Sequence, residues 1–426
     1  MERNDPRYQA YVEILKEELI PAMGCTEPIA LAYAAAKARE VLGVLPDSVQ
    51  LQVSGSIIKN VKSVIVPNTG HLKGIEAAVA AGIIAGSAEK ELEVISEVSE
   101  EKKSAIRDYL QTVPITIEHT EQGHVFDIVV TERCGQDYAR VRIADYHTNI
   151  CRIEKNGTVL YEVPLLDETV QEDARADRSL LNMQDIWDFA ETADLRDVAD
   201  LLERQIRYNN AIAEEGLLGD YGANIGRVLL TTYGNDVSNR AKAKAAAGSD
   251  ARMNGCELPV IINSGSGNQG ITCSVPLIEY AKELHSGKER LYRALIISNL
   301  VAIHEKTGIG TLSAYCGAVS AGAGAGAGIV YLCGDGYQAA IHTVVNALAI
   351  VSGIVCDGAK ASCAAKIASS VDAALLGYNM YKCNQEFKGG DGIVMKDIET
   401  TIKGIGRLGK DGMRQTNEEI IRLMMS

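Results

Sequence analysis

The stretch from Thr307 to Gly334 contains no charged residue, and no other feature restricts the fold of this chain as strongly. It is long enough to cross a bilayer as a helix. Its residues, however, are mostly Gly, Ala and Ser rather than Leu, Ile and Phe, and Gly alternates with Ala from Gly322 to Gly328. Small residues of this kind let helices pack closely. We therefore predict a central helix buried in a helical domain rather than a membrane span.

The length and net charge of the chain exclude some classes of protein and of partner. The chain has 426 residues, 46% of them hydrophobic, which is enough for a large core without disulfides. Its 56 acidic and 42 basic side chains leave a net charge of -14, which repels nucleic-acid phosphates and anionic lipids. The charged start, Met1–Pro6, lacks the apolar stretch of a secretory signal. We expect a cytoplasmic protein with neither nucleic acid nor a membrane as partner.

Helical periodicity opens the chain. Apolar residues at helical spacing predict a first helix up to Leu19, after which Pro21–Gly24 forms a turn. A second helix is predicted over Pro28–Val41, with Thr26 as its N-cap and Gly43 as its stop.

Strand-like alternation follows, interrupted by a predicted helix over Glu76–Ala85. Strands are predicted over Val49–Val53, Ser63–Val66, Val125–Val130, Arg140–Ile143, Ile150–Ile153 and Thr158–Tyr161, the last two joined by an Asn156-Gly157 turn. The acidic stretch Asp167–Asp177 indicates a boundary or a solvated helix face. We predict an α+β fold in which residues 1–47 and 180–426 form a mainly helical catalytic domain and residues 48–179 form a small inserted α+β lobe.

Several of the ten cysteines lie where thiol chemistry is possible. Cys25 directly precedes a predicted helix, and helix amides lower the pKa of a thiol at this position. It could act as a base, a nucleophile or a ligand, or it could be a buried residue packed beside Met23. Cys356 and Cys363 flank a glycine turn, so both sulfurs could face one point, and Cys316 at the start of the Gly/Ala-rich helix is a third candidate. The alternative for these three is ordinary helix packing.

A polar glycine loop follows a short apolar run that begins at Pro259. Gly265–Gly270 reads as GxGxxG, but Pro259, Pro276 and the lack of alternating strand and helix units argue against a dinucleotide site. The loop offers amides and short polar side chains to a small anion such as a carboxylate, or it simply caps a helix; these side chains are Asn263, Ser264, Ser266, Asn268 and Gln269. Nearby, Arg252 could clamp a carboxylate or pair with Asp250. His147 is interpreted as structural.

Taken together, Gly24–Pro28, Asn263–Gly270, Cys316 and Cys356–Cys363 resemble the L-cysteine desulfidase family, which is related to the α part of iron-sulfur L-serine dehydratases. The match extends in order from the first helix to the C-terminal helix. The resemblance implies a 4Fe-4S cluster held by three cysteines, which correspond here to Cys316, Cys356 and Cys363. One iron would stay open as a Lewis acid. The resemblance further implies that Cys25 is the thiolate base.

The function implied is β-elimination of L-cysteine to pyruvate, ammonia and hydrogen sulfide, with Cys25 removing the α-proton. We infer that the substrate is bound by Thr26, Glu27, Arg252 and the polar side chains of the glycine loop. L-Serine dehydratase is the nearest alternative. Alternatives from other classes are an NAD-dependent oxidoreductase using Gly265–Gly270 and a non-catalytic metal-binding protein. The expected partner is a small amino acid, and the candidate assembly is a homodimer.

Overall fold

The computed structural model describes residues 1–120, 124–165, 175–310 and 312–425. Most of the predicted boundary Asp167–Asp177 lies outside these residues. The structure is 60% helical and contains a mixed six-stranded sheet, which confirms the α+β class and its mainly helical character.

The helices and strands are numbered separately in chain order. The helices are α1 (Pro6–Glu18), α2 (Thr26–Leu42), α3 (Gly55–Val61), α4 (Gly74–Ala85), α5 (Glu100–Thr112), α6 (Met183–Thr192), α7 (Ala199–Leu218), α8 (Ile225–Tyr233), α9 (Val237–Met253), α10 (Gly267–Glu283), α11 (Lys288–Ile309), α12 (Gly317–Cys333), α13 (Tyr337–Val351), α14 (Ser362–Lys382), α15 (Ile398–Arg407) and α16 (Arg414–Met425). The strands are β1 (Pro21–Met23), β2 (Ser48–Ser54), β3 (Ile115–Thr120), β4 (Asp127–Cys134), β5 (Asp137–Ala144), β6 (Ile150–Lys155), β7 (Thr158–Glu162) and β8 (Pro259–Ile261).

The six-stranded sheet has the order β3-β2-β4-β5-β6-β7, with β2 and β3 parallel and the other neighbours antiparallel. Val49, Leu51 and Val53 of β2 are buried, as their alternation predicts. The predicted hairpin is confirmed, because β6 pairs with β7 across Asn156 and Gly157, both of which have the positive φ of a tight hairpin turn. Helix α2 packs against β4, β5 and α4.

Helix α12 is the buried central helix predicted from the charge-free stretch. It packs against α10, α11, α13 and α14. Its glycines permit this closeness: a Cβ at Gly322 would lie 2.8 Å from the Ser370 backbone, and one at Gly324 would lie 2.4 Å from the Ser298 carbonyl oxygen. Among the described residues, none of the helices combines the length and apolar character needed to span a membrane.

Three local predictions are wrong. Pro21–Gly24 is predicted as a turn, but Pro21–Met23 forms strand β1 because it pairs with β8, and only Gly24 has the positive φ of a turn. Ser63–Val66 forms no strand; only a single bridge joins Ile65 to Lys73, because the segment turns between α3 and α4. Val64 and Val66 are buried without sheet pairing. The N-cap of α2 is Cys25 rather than Thr26, which is the first helical residue. The division into domains at residues 48 and 179 stays a prediction.

Candidate active site

A cavity of about 110 Å³ lies between the start of α2, the β5–β6 loop, the loop before α10, the end of α11 and the segments that carry the clustered cysteines. All the predicted site residues line it except Thr26 and Asn263; those that do are Cys25, Glu27, Arg252, Ser264, Ser266, Asn268, Gln269, Cys316, Cys356 and Cys363. A larger cavity of about 500 Å³ beside Glu89–Glu97 contains none of them. The candidate chemistry therefore converges on the smaller cavity.

A turn at Gly24 places Cys25 in the lining of this cavity. Gly24 has a φ of +60°, and a Cβ there would lie 2.7 Å from Cγ of Pro67, so a larger residue would not fit. Cys25 is buried, and its Sγ donates a hydrogen bond to Oε2 of Glu27 at 3.1 Å. Burial first, and then the charge of Glu27, raise the pKa of Cys25 well above its ordinary value. The predicted lowering of this pKa is wrong, because burial and a neighbouring carboxylate outweigh the helix amides.

Glu27 is a buried carboxylate with several partners. Its Oε1 accepts from Nδ2 of Asn60 at 3.0 Å and lies 3.9 Å from Nε2 of His147, while its Oε2 accepts from Oγ1 of Thr26 at 3.2 Å as well as from Cys25. Burial raises the pKa of Glu27, but the interactions with His147 and Cys25 outweigh it and hold the pKa at about 2. The cavity therefore contains a fixed negative charge.

The glycine loop serves close packing. Gly265 lies under His147, where a Cβ would be 3.0 Å from Cε1, and Gly267 lies beside Arg252, where a Cβ would be 2.3 Å from Nε. The loop follows β8, which pairs antiparallel with β1 and is not part of a parallel strand-helix-strand unit. These glycines therefore do not belong to a dinucleotide-binding fold.

The side chains outside the cavity hold this loop in place. Nδ2 of Asn263 donates to Oδ1 of Asn299 at 3.0 Å, and Oγ of Ser264 donates to Oδ1 of Asn263 at 2.9 Å. Oγ1 of Thr26 donates to the carbonyl oxygen of Gly265 at 2.9 Å. Thr26 and Asn263 thus connect the loop to α2 and α11.

Arg252 is buried at 2% exposure, yet none of the described carboxylates lies within ion-pair distance of its guanidinium, and its Nε has no hydrogen-bond partner there. The alternative pairing with Asp250 is wrong, because Asp250 accepts from the backbone N–H of Ile225 at 2.7 Å. Oδ1 of Asn268 and Oε1 of Gln269 are also buried without partners among the described residues. The cavity therefore contains one cation and two hydrogen-bond acceptors that have no partner among the described residues and are available to a ligand.

The clustered cysteines lie on adjoining segments. Cys316 caps α12, and the backbone N–H of Cys356 donates to the Ala314 carbonyl oxygen at 2.6 Å, which fixes the two segments side by side. Cys363 lies in the first turn of α14, with Sγ 3.6 Å from the carbonyl oxygen of Gly358. Burial, and then the proximity of Cys356, raise the pKa of Cys316 to about 12. The three thiols are thus near neighbours.

The clustered cysteines do not form the ligand set of a single metal ion. No three His, Cys, Asp or Glu side chains within the described ranges converge as ligands of one metal ion. In an iron-sulfur cluster each thiolate binds a different iron, so the sulfurs stand apart around a shared space. Cys316, Cys356 and Cys363 all line the same cavity, which is compatible with that arrangement.

Sequence reasoning missed several neighbours of this site. Lys306 lines the cavity, Lys59 donates to the carbonyl oxygen of Cys356 at 3.3 Å, and Asn60 holds Glu27. His147, which the sequence indicated only as structural, also lines the cavity. The position of Lys306 directly before the charge-free stretch was a usable signal. A lysine that adjoins a segment predicted to be buried is expected to lie close to that segment in the fold. Lys59 and Asn60 had no comparable signal.

Comparison with known proteins yields a family match. The family model of the serine dehydratase alpha chain matches residues 89–422. The UPF0597 protein of Desulfitobacterium hafniense is 61% identical over 426 residues, covering 100% of this chain and 99% of the relative. That of Lachnoclostridium phytofermentans is 52% identical over 98% of this chain and 100% of the relative. That of Treponema denticola is 46% identical over 100% of both.

Proposed function

The chain belongs to the serine dehydratase alpha chain family, and from this premise we propose that it is a cytoplasmic lyase that converts L-cysteine to pyruvate, ammonia and hydrogen sulfide. One observation carries the proposal. A single cavity brings the thiol of Cys25 together with an ionised Glu27, three further cysteines and Arg252, which has no ion-pair partner among the described residues.

The charges of the cavity suit an amino acid. The pKa of Cys25, which burial raises most, is also raised by the charge of Glu27 and lowered by the charge of Arg252, so the thiol feels both charges. An α-amino acid carries an ammonium and a carboxylate on the same carbon. With the carboxylate on Arg252 and the ammonium at Glu27, that carbon lies between the two charged groups, within reach of Cys25. Oδ1 of Asn268 and Oε1 of Gln269 offer the ammonium further acceptors.

The cofactor would be a 4Fe-4S cluster held by Cys316, Cys356 and Cys363. When bound, it supplies a Lewis acid for the β-substituent that leaves. The donor set supports this assignment, because all three thiols face the cavity that also receives Cys25.

The residues of the chain would handle the proton. In the free protein Cys25 is a thiol hydrogen-bonded to Glu27, and burial and the charge of Glu27 raise its pKa. A substrate ammonium beside Glu27 offsets that negative charge, so the thiol ionises more readily in the complex than in the free protein. When the Cys25 thiol ionises, its proton passes to solvent. The thiolate then takes the α-proton, the Cα–H electron pair forms the Cα=Cβ bond, and the Cβ–S bond breaks as hydrosulfide departs. The aminoacrylate released is hydrolysed to pyruvate and ammonia.

The surroundings of Cys25 favour a sulfur leaving group. Cys25, Val64 and Met253 form a small buried cluster against which Ala359 and Cys363 pack. Such apolar and sulfur-rich surfaces suit a thiol better than a hydroxyl, which needs hydrogen-bond partners when buried. L-Serine dehydration is the second candidate, and the name of the matched family favours it.

The test uses protein purified and reconstituted with iron and sulfide under anaerobic conditions. We expect the broad visible absorbance of an iron-sulfur cluster, and release of pyruvate and sulfide from L-cysteine with a kcat/KM at least about tenfold above that for L-serine. Cys25→Ala should keep the absorbance and lose about 10²-fold or more of the rate. A higher kcat/KM for L-serine would assign the dehydratase activity instead. Absorbance without turnover of either amino acid would contradict an enzymatic role.

A further inference from the structure

Two lysines near the clustered cysteines are buried without an ion-pair partner among the described residues. Lys59 is 2% exposed and Lys306 is 7% exposed. Nζ of Lys59 donates to Oδ1 of Asn417 at 2.7 Å and to the carbonyl oxygens of Ser313 and Cys356. Nζ of Lys306 donates to the carbonyl oxygen of Gly310 at 2.6 Å. Neither ammonium has a carboxylate within ion-pair distance in the ranges that the structure describes.

The lysines farther out in the same region are paired. Nζ of Lys360 lies 2.7 Å from Oδ2 of Asp357, and Lys366 forms an ion pair with Oδ1 of the same carboxylate. These two lysines are more exposed than Lys59 and Lys306 and so need a countercharge less. Burying a cation without an ion-pair partner is unfavourable on general grounds. Of these four lysines, the two that are more deeply buried are thus the ones without an ion pair among the described residues.

The clustered cysteines are the groups near these lysines that would gain negative charge as ligands. As thiolates, Cys356 and Cys316 would favour the charged form of Lys306 more than any other neighbouring group, and Cys356 would do the same for Lys59. The carboxylate of Glu27 acts in the same direction on both lysines, although it lies beyond ion-pair distance. Burial lowers the pKa of Lys306 to about 8, and these thiols act in the opposite direction. As cluster ligands the three cysteines would be thiolates, whose combined charge exceeds that of the oxidised iron-sulfur core.

We infer that Lys306 and Lys59 are the fixed countercharges of an anionic cluster on Cys316, Cys356 and Cys363. Lys306 acts from the cavity wall. Lys59 does not line the cavity. It donates a hydrogen bond to the carbonyl oxygen of Cys356 and so also positions that segment. The inference rests on the proposed function, and it adds that the cluster site is completed by cations that are not ligands.

The decisive variant is Lys306→Met, which keeps the length of the side chain and removes the charge. Without the cation, the reconstituted cluster should be lost to a chelator about tenfold faster, and its reduction potential should shift to a more negative value, because reduction adds negative charge. Lys306→Arg should stay close to wild type in both measurements. The matched control is Lys244→Met, which removes a partly buried lysine paired with Glu279 at 2.8 Å outside the cavity.

The cluster-free proteins separate a countercharge from a structural lysine. Lys306→Met should unfold at the same temperature as wild type or higher, because it removes an uncompensated buried cation. Lys244→Met should unfold at a lower temperature and leave the rate of cluster loss unchanged. Unchanged cluster loss and potential in Lys306→Met, beside a wild type that holds its cluster, overturn this inference alone. A wild type that takes up no cluster overturns the proposed function, and this inference with it.

Discussion

The thiol of Cys25 donates its hydrogen bond to a carboxylate two residues along the same helix, with Sγ 3.1 Å from Oε2 of Glu27. The bond has opposite consequences for its two members. Burial and then Glu27 raise the pKa of Cys25, whereas the thiol and His147 help to hold the pKa of Glu27 at about 2 against the effect of burial. The free protein therefore contains a protonated sulfur and an ionised carboxylate, and the base of the proposed reaction is formed only when this balance changes.

Replacement of Glu27 with Gln should lower the pKa of Cys25, because it removes the negative charge that adds to the effect of burial. In the cluster-free protein, alkylation of Cys25 by iodoacetamide should therefore begin at a lower pH than in wild type. The reaction can be followed by peptide mass mapping across a pH series. Thr26→Val is the control, since it removes a neutral hydroxyl that contacts the same carboxylate and the carbonyl oxygen of Gly265 but changes no charge. An unchanged alkylation profile in Glu27→Gln would contradict the role assigned to the carboxylate.

The same substitution should show how Glu27 contributes to stability. The folded protein holds the pKa of Glu27 at about 2, below the ordinary value of 4.5, so ionisation of Glu27 favours the folded state. That contribution is complete above about pH 4.5 and is lost as the pH falls towards about 2. The free energy of unfolding of wild type should therefore fall more than that of Glu27→Gln over this range. Denaturant titrations of both cluster-free proteins at several pH values measure the difference, and parallel curves would refute it.

Replacement of Arg252 with Met should weaken substrate binding. A buried guanidinium that binds a carboxylate contributes strongly to affinity, so we expect KM for L-cysteine to rise at least about tenfold. The cluster-free variant should be no less stable than wild type, because no described carboxylate pairs with Arg252. Steady-state kinetics and thermal unfolding measure the two effects. A large loss of stability with an unchanged KM would show that Arg252 serves the fold rather than the substrate.

The sequence predicted what depends on local pattern. Periodicity located α1, α2, α4 and most strands of the sheet, and the charge-free stretch identified the buried helix α12. The limit of such patterns is visible at Ser63–Val66, where apolar residues are buried without a partner strand. Alternation in a sequence reports burial, and it cannot report which element does the burying.

For the site, motifs identified residues whose chemistry is carried by type and spacing, such as Cys316, Cys356 and Cys363. The properties that arise from long-range packing were not predictable. The pKa of Cys25 depends on its depth of burial, which a helix-start pattern does not show. Lys59 and His147 reach the site from the predicted lobe, far away in the sequence, and no motif connects them to the cysteines.

The cysteines of the chain also allow a matched test of cluster ligation. Single replacement of Cys316, Cys356 or Cys363 with Ala should abolish or strongly reduce the visible absorbance of the reconstituted protein, because each would leave one iron without its thiolate. Cys273 is the control: it is fully buried between α10 and α12 but does not line the cavity, and its Sγ lies 3.9 Å from the carbonyl oxygen of Ala321. Cys273→Ala should lose stability from the packing defect, about 1 kcal/mol, and keep the absorbance. Iron and sulfide analysis of all four variants separates the two effects. Retention of a full cluster after any of the three cavity replacements would remove that cysteine from the ligand set.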